Sequence, residues 1–348
     1  MPWVELKSLP ANLLRTIPEE FRDYVKMCLN FTPDLRPDAN QFSRISYFDN
    51  IGLKTLNYLE SLCQLDNPQK AQFFKNLPNV LSTLPKRVQL QRVMPCLRAE
   101  FSTPAMVPFV LPNVLMVVES VNQQEFVSQI LPYLIPVFSM RNPVQIMLIL
   151  LQRLELLLSK TPRQQIKQHL LPLVYGALDS DVTHIQELCL KLIPSIADLV
   201  DNEAMKSQLL PKLMKLTTEA TVLSMKVNAL LCIGQMLERL EKWMVTDQIL
   251  PALPKINSKE PGVLMAVLGI YKIAFGNSRF GISREQCARS ALPFLLATSV
   301  ENSLNLQQVP KDFSSNVYEQ DIPLKSMNII SQADSDNTDR MLILPILV

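Results

Sequence analysis

Along most of the chain, apolar residues recur every three or four positions, in blocks parted by short polar breaks. Within residues 183–200, Ile185, Leu188, Cys189, Leu192, Ile193 and Ile196 follow the i, i+3, i+4, i+7 spacing of one helix face. The following unit carries Val222, Met225, Val227, Leu230, Leu231, Ile233, Met236, Leu237 and Leu240. These positions cover more than one face, as expected of a helix that packs within its own hairpin and against the next one. Val and Ile are frequent, yet clean alternation is absent, so strands are not predicted. The longest apolar runs, 106–118 and 262–275, are interrupted by Pro108 and Pro112 and by Lys272. Both fall short of the roughly 18 residues that cross a bilayer, and both read as buried helices.

The prolines expose a repeat. Two apolar residues, Pro, any residue, then Leu or Val occur around Pro95, Pro132, Pro172, Pro211, Pro251 and Pro293, at spacings of 37, 40, 39, 40 and 42 residues. A period of about 40 is that of paired-helix arrays. One unit runs 164–178, breaks at Asp179-Ser180-Asp181, and continues over 183–200. A proline inside a helix removes a hydrogen bond and kinks it, at about 3 kcal/mol or more, which packing by both neighbours can offset. The competing reading places each Leu-Pro at a helix start or in a loop. The pattern resembles HEAT repeats, with 179–182 (DSDV) and 225–227 (MKV) matching their turn and second-helix start. The predicted class is all-α, a HEAT/armadillo-type α-solenoid over 50–300.

Residues 1–49 differ. An amphipathic segment ends in Cys28-Leu29, a Pro33-Asp34-Leu35-Arg36-Pro37 turn follows, and a closing segment ends in Tyr47-Phe48. This order is similar to the last helices of a protein-kinase C-lobe. The resemblance implies that Arg36 is a buried structural arginine whose Glu partner would lie upstream. A kinase-like end running into HEAT repeats resembles the SCY-like pseudokinase family, its coated-vesicle-associated branch above all, over about residues 1–310. That resemblance implies a scaffold in clathrin-dependent traffic between endosomes, trans-Golgi and plasma membrane. It also implies clathrin and adaptor complexes as partners, peripheral association with vesicles and a cytoplasmic location. Against the family pattern, most of the kinase domain and the long tail are missing, which suggests a truncated form.

Composition narrows the chemistry. The 7 glycines form no phosphate-cradling spacing. No Gly-rich kinase loop, VAIK-type Lys, HRD or DFG is present, so the groups phosphoryl transfer requires cannot be assembled. The expectation is no enzyme and no cofactor. The alternative is a fragment of a protein kinase whose ATP-dependent Ser/Thr phosphorylation resides outside this chain. The 34 Lys and Arg against 32 Asp and Glu give +2, so nucleic acid is not an expected partner. Six scattered cysteines, without a CxxC pair, read as isolated buried thiols of a reducing compartment. No basic and apolar signal peptide opens the sequence. His169 and His184 lack convergent ligands and read as surface or capping residues.

The candidate partner surface is spread thin. Lys86, Arg87, Arg92 and Arg98 form a local basic cluster that could meet an acidic peptide or lipid. Arg141, Gln145, Gln186 and Lys226 stand near the starts of second helices, the side that solenoids commonly use for binding. Trp243 is expected at a repeat junction. Residues 301–348 lose the repeat and carry a net −3 over 311–348, so a disordered tail is expected, ending in the apolar 341–348.

Overall fold

The computed structural model describes residues 15–299 apart from Asn257. The expected tail, its apolar end and Trp3 lie outside the described residues. The chain forms two compact units that divide between Pro162 and Arg163. Every regular element among the described residues is a helix.

In the first unit, helix Glu19–Cys28 is followed by a short turn at Pro33–Leu35 and helix Ala39–Ser43. Asp38 starts the latter with a capping box: its carboxylate accepts from the Gln41 N–H while the Gln41 side chain accepts from the Asp38 N–H. Phe21, Phe42, Tyr47 and Phe48 gather with ring centroids 4.6–5.9 Å apart. No residue of 15–50 is fully buried, however. The core begins with Ile51–Glu60 and Asn67–Asn76, each opened by an Asx cap, Asn50 and Asp66.

Six first helices follow, at 86–99 and 123–138 in the first unit and at 163–178, 202–219, 242–252 and 284–299 in the second. The residue before each helix is Pro85, Asn122, Pro162, Asp201, Glu241 or Ser283, and each stands ten residues ahead of its repeat proline. The cap-to-proline distance is therefore constant, and the 37–42 variation in period falls elsewhere in the repeat. Cap chemistry fixes several of these starts. Asn122 and Glu125 form a capping box, Asp201 accepts from the Ala204 N–H, and Ser283 exchanges bonds with Gln286.

Each proline lies in the body of its helix, so the helix-start and loop readings are set aside. One turn before it is wide. The N–H of the residue preceding the proline reaches five residues back: Met94 to Gln89, Leu131 to Phe126, Leu171 to Ile166, Leu210 to Met205, Leu250 to Val245 and Leu292 to Cys287. A proline has no N–H to give, and its ring collides with the carbonyl four residues back in a regular turn. A wide turn moves that carbonyl aside, so the helix absorbs the proline and continues.

Second helices complete the pairs: Val107–Ser120 and Val144–Gln152 with Leu154–Lys160 in the first unit; Thr183–Ile196, Leu223–Met236 and Pro261–Gly276 in the second. In the second unit these three lie side by side. Where the last two meet, a methyl on Gly262 would lie 3.4 Å from Val227 Cγ2 and one on Gly234 3.6 Å from Ile270 Cγ1. The apolar runs 106–118 and 262–275 are mostly buried helix, and no described helix is long and apolar enough to cross a membrane. The thiols divide: Cys189, Cys232 and Cys287 are buried, Cys28 and Cys96 half-buried, and Cys63 is exposed, which corrects the reading of all six as buried.

Candidate partner surface

The basic cluster at the first repeat proline is not a free patch. Lys86 pairs with Glu125, and Arg98 donates to Tyr133 Oη at 2.6 Å with its guanidinium 4.8 Å from that ring. Both partners belong to the following repeat, so these two cations couple repeats. Arg87 bonds Gln91 within its own helix at 3.1 Å, and Arg92 is exposed without an ion pair among the described residues. The pairing also acts on Glu125: the Lys86 hydrogen bond, then the Asn122 N–H, hold its carboxyl below the usual range.

Arg36 is exposed rather than buried. Its Nε donates to Asn30 O at 2.8 Å and its Nη2 to Phe31 O at 3.5 Å, closing the turn ahead of Ala39–Ser43. The surrounding helices offer no core in which to bury a cation. Beside it, Met27, Leu29, Phe31 and Leu35 are exposed, Phe31 at 85%.

Of the four second-helix candidates, Arg141 and Gln145 are exposed and the other two are less so. Gln186 is half-buried and donates to Leu178 O at 3.0 Å, satisfying a carbonyl at the end of its own first helix. Lys226, forty residues on, occupies the corresponding position and is likewise half-buried. Among the outward-facing residues, three in each second helix of the second unit are spaced seven and eleven positions apart. They are His184, Lys191 and Ser195; Ser224, Leu231 and Gln235; and Met265, Lys272 and Gly276. Leu231, predicted as core, stands on this ridge at 49% exposure. The three ridges hold no carboxylate. Sequence periodicity could have found them, since the i, i+7, i+11 positions are one helix face.

A second repeated device ties successive second helices together. Lys160, Arg239 and Arg279 each lie 28 residues after a repeat proline. Each donates to a main-chain carbonyl at or near the C-terminal end of the preceding second helix: Val121, Pro194 and Glu238 respectively. Such carbonyls have no partner within the helix and carry the negative end of its dipole. Trp243 does sit at a junction, with Lys206 of the previous repeat 5.2 Å from its ring centroid. Burial pushes the Cys232 thiol up to about 12 and the Cys189 thiol well above its ordinary range, so neither is a ready nucleophile. Among the described residues no three His, Cys, Asp or Glu side chains are grouped to hold a metal ion.

No family model matches the chain. It is 51% identical over 304 residues to SCY1-like protein 2 of Homo sapiens, a match covering 87% of this chain and 33% of that protein. It is 26% identical over 313 residues to protein kinase domain-containing protein ppk32 of Schizosaccharomyces pombe, covering 89% and 40%. A third relative is the probable inactive serine/threonine-protein kinase scy1 of Dictyostelium discoideum, 22% identical over 314 residues and covering 87% and 38%. The chain thus spans between a third and two fifths of the length of these curated relatives. The crystal structure of Cex1p superposes with a TM-score of 0.63 at 13% identity, over 92% of this chain and 62% of that one, a likeness of fold alone.

Proposed function

We propose, for a chain that belongs to the SCY1-like family over the residues it shares with these relatives, a non-catalytic scaffold in clathrin-dependent vesicle traffic. Its place would be peripheral, on coated vesicles, endosomes or the Golgi, and its partners clathrin and adaptor-complex proteins. The observation that carries the scaffold reading is the set of three outward ridges at one spacing on adjacent second helices. A repeated, solvent-facing surface on a packed array suits a protein partner, since each helix contributes contacts at a fixed pitch. Lys86 and Arg98 of the basic cluster are engaged by Glu125 and Tyr133 of the following repeat, which sets that cluster behind the ridges as the partner surface. The naming of one relative as a probable inactive kinase agrees with a non-catalytic role.

The test is co-sedimentation of the purified chain with assembled clathrin cages, bare and loaded with adaptor complexes. Sedimentation with either is expected, and Lys191→Glu together with Leu231→Asp should abolish it while helicity is kept. A chain that stays in the supernatant with both would remove the trafficking assignment.

A further inference from the structure

Three threonines of the chain precede a proline: Thr32, Thr103 and Thr161. A Thr-Pro step suits a proline-directed Ser/Thr kinase where the hydroxyl can be reached and the backbone can lie extended in the kinase cleft. The structure separates the three. Thr161 is buried, and its hydroxyl donates to Leu157 O at 2.6 Å. Thr103 is half-buried, between buried Phe101 and buried Met106. Thr32 is exposed, and so is every residue from Phe31 to Arg36. Its backbone is extended, with φ −82° and ψ 115°, as the following proline favours, and its hydroxyl caps nothing. Since no residue of 15–50 is fully buried, opening the Pro33–Leu35 turn to enter a cleft disrupts no core.

A second observation concerns what a phosphate on Thr32 would meet. Arg36 closes the same turn at its far end. Its Nη2 donates at 3.5 Å to Phe31 O, the carbonyl of the peptide bond that leads into Thr32, and its Nε donates to Asn30 O at 2.8 Å. Asn30 Oδ1 in turn accepts from the Thr32 N–H at 2.9 Å. A guanidinium carries five N–H groups, and these contacts leave most of them unused. Among the described residues Arg36 forms no ion pair, with Asp34 of its own turn or with any other acid. A cation held beside the hydroxyl, with donors to spare, matches a phosphate dianion in charge and in its forked hydrogen-bond geometry.

We infer that Thr32 is a phosphorylation site for a proline-directed Ser/Thr kinase, and that Arg36 receives the phosphate. Thr32 Oγ1 attacks the γ-phosphorus of Mg-ATP held by that kinase. The bond from the γ-phosphorus to the β,γ-bridging oxygen breaks, ADP leaves, and the hydroxyl proton passes to the base of the kinase. The product pair ties the first residue of the turn to its last, just ahead of helix Ala39–Ser43.

The experiment incubates the purified chain with Mg-ATP and, in separate reactions, a MAP kinase and a cyclin-dependent kinase. Phosphate is mapped by mass spectrometry over time. Thr32 is expected to be labelled first with at least one kinase, Thr103 more slowly and Thr161 not at all, and Thr32→Ala should remove most of the label. The phosphorylated chain is then titrated by phosphorus NMR beside an Arg36→Met chain carrying the same phosphate. The second phosphate pKa, ordinarily about 6, should lie at least about half a unit lower where Arg36 is present. A native chain left unlabelled by both kinases, or labelled at Thr103 or Thr161 with Thr32 bare, would overturn the site. Coincident titration curves for the two chains would overturn the part given to Arg36.

Discussion

The side-chain amide of Asn113 donates to the main-chain carbonyl of Phe74 at 2.9 Å, from a position with no solvent exposure. The reason lies four residues beyond Phe74. A helical carbonyl normally accepts from the N–H four positions on, and here that position is Pro78, which has none. Asn113 supplies the missing donor from helix Val107–Ser120, and its Nδ2 also reaches Phe109 O at 2.9 Å. It is the polar residue in an otherwise apolar run, and its value is one satisfied backbone group in the core of the first unit.

Asn113→Leu keeps the branching and heavy-atom count of the side chain and removes the donor. The buried Phe74 carbonyl is then unpaired, at about 1–3 kcal/mol. We expect a lower urea midpoint for the first unit with helicity retained at low denaturant. An unchanged midpoint would mean that water takes the place of the amide.

The repeat prolines should cost far less than a proline in a regular helix. The wide turn already accommodates Pro172 and Pro211, both exposed, so Pro172→Ala should move stability by less than about 1 kcal/mol. Chemical denaturation of the single variant checks this. A gain near 3 kcal/mol would show that the wide turn relieves nothing.

Arg239→Met and Arg279→Met each remove a cation from a helix-end carbonyl while keeping an apolar stem. Both side chains are partly exposed, so a loss of about 0.5–1.5 kcal/mol is expected. Hydrogen exchange should speed up in the last turn of the preceding second helix, ahead of the rest of the unit. Uniform acceleration would assign these cations no role specific to the repeat junction.

Alkaline pH should unfold the second unit. Burial raises Cys189 and Tyr271 well above their ordinary values, and raises Cys232 and Tyr175 to about 12. For an acid whose folded pKa is raised, the contribution to stability is whole below the unfolded value and is lost as pH climbs toward the folded one. The window therefore opens near pH 9, the ordinary thiol value, and extends to about 12. The melting temperature is expected to be level from pH 7 to 8.5 and to fall above 9. At pH 8, a thiol reagent should modify exposed Cys63 at once and Cys189 and Cys232 only on unfolding.

Much of the fold was legible because the repeat prolines keep a period. The 183–200 spacing placed helix Thr183–Ile196 within a few residues, and the break at 179–181 fell where the chain turns. The wide turn was not legible, since its bond pattern depends on what a helix does around a missing N–H. The surface was harder still. Lys86 and Arg98 looked like a patch because their partners, Glu125 and Tyr133, are about 35 residues or more away in sequence. The bond of Gln186 to Leu178 O was not legible, because polarity alone does not tell such a cap from a side chain offered to solvent. Arg36 depended on a partner that sequence resemblance places outside this chain.

The outward second-helix ridges of the second unit are the surface proposed for partners. The most direct measurement is the affinity of adaptor and clathrin subunits for the chain and for four variants: Lys191→Glu and Leu231→Asp on the ridge, Arg87→Glu and Arg92→Glu away from it. A loss of tenfold or more, about 1.4 kcal/mol, is expected for each ridge variant and a change below about twofold for the other two. Binding that survives both ridge changes and collapses with Arg87→Glu or Arg92→Glu would contradict it.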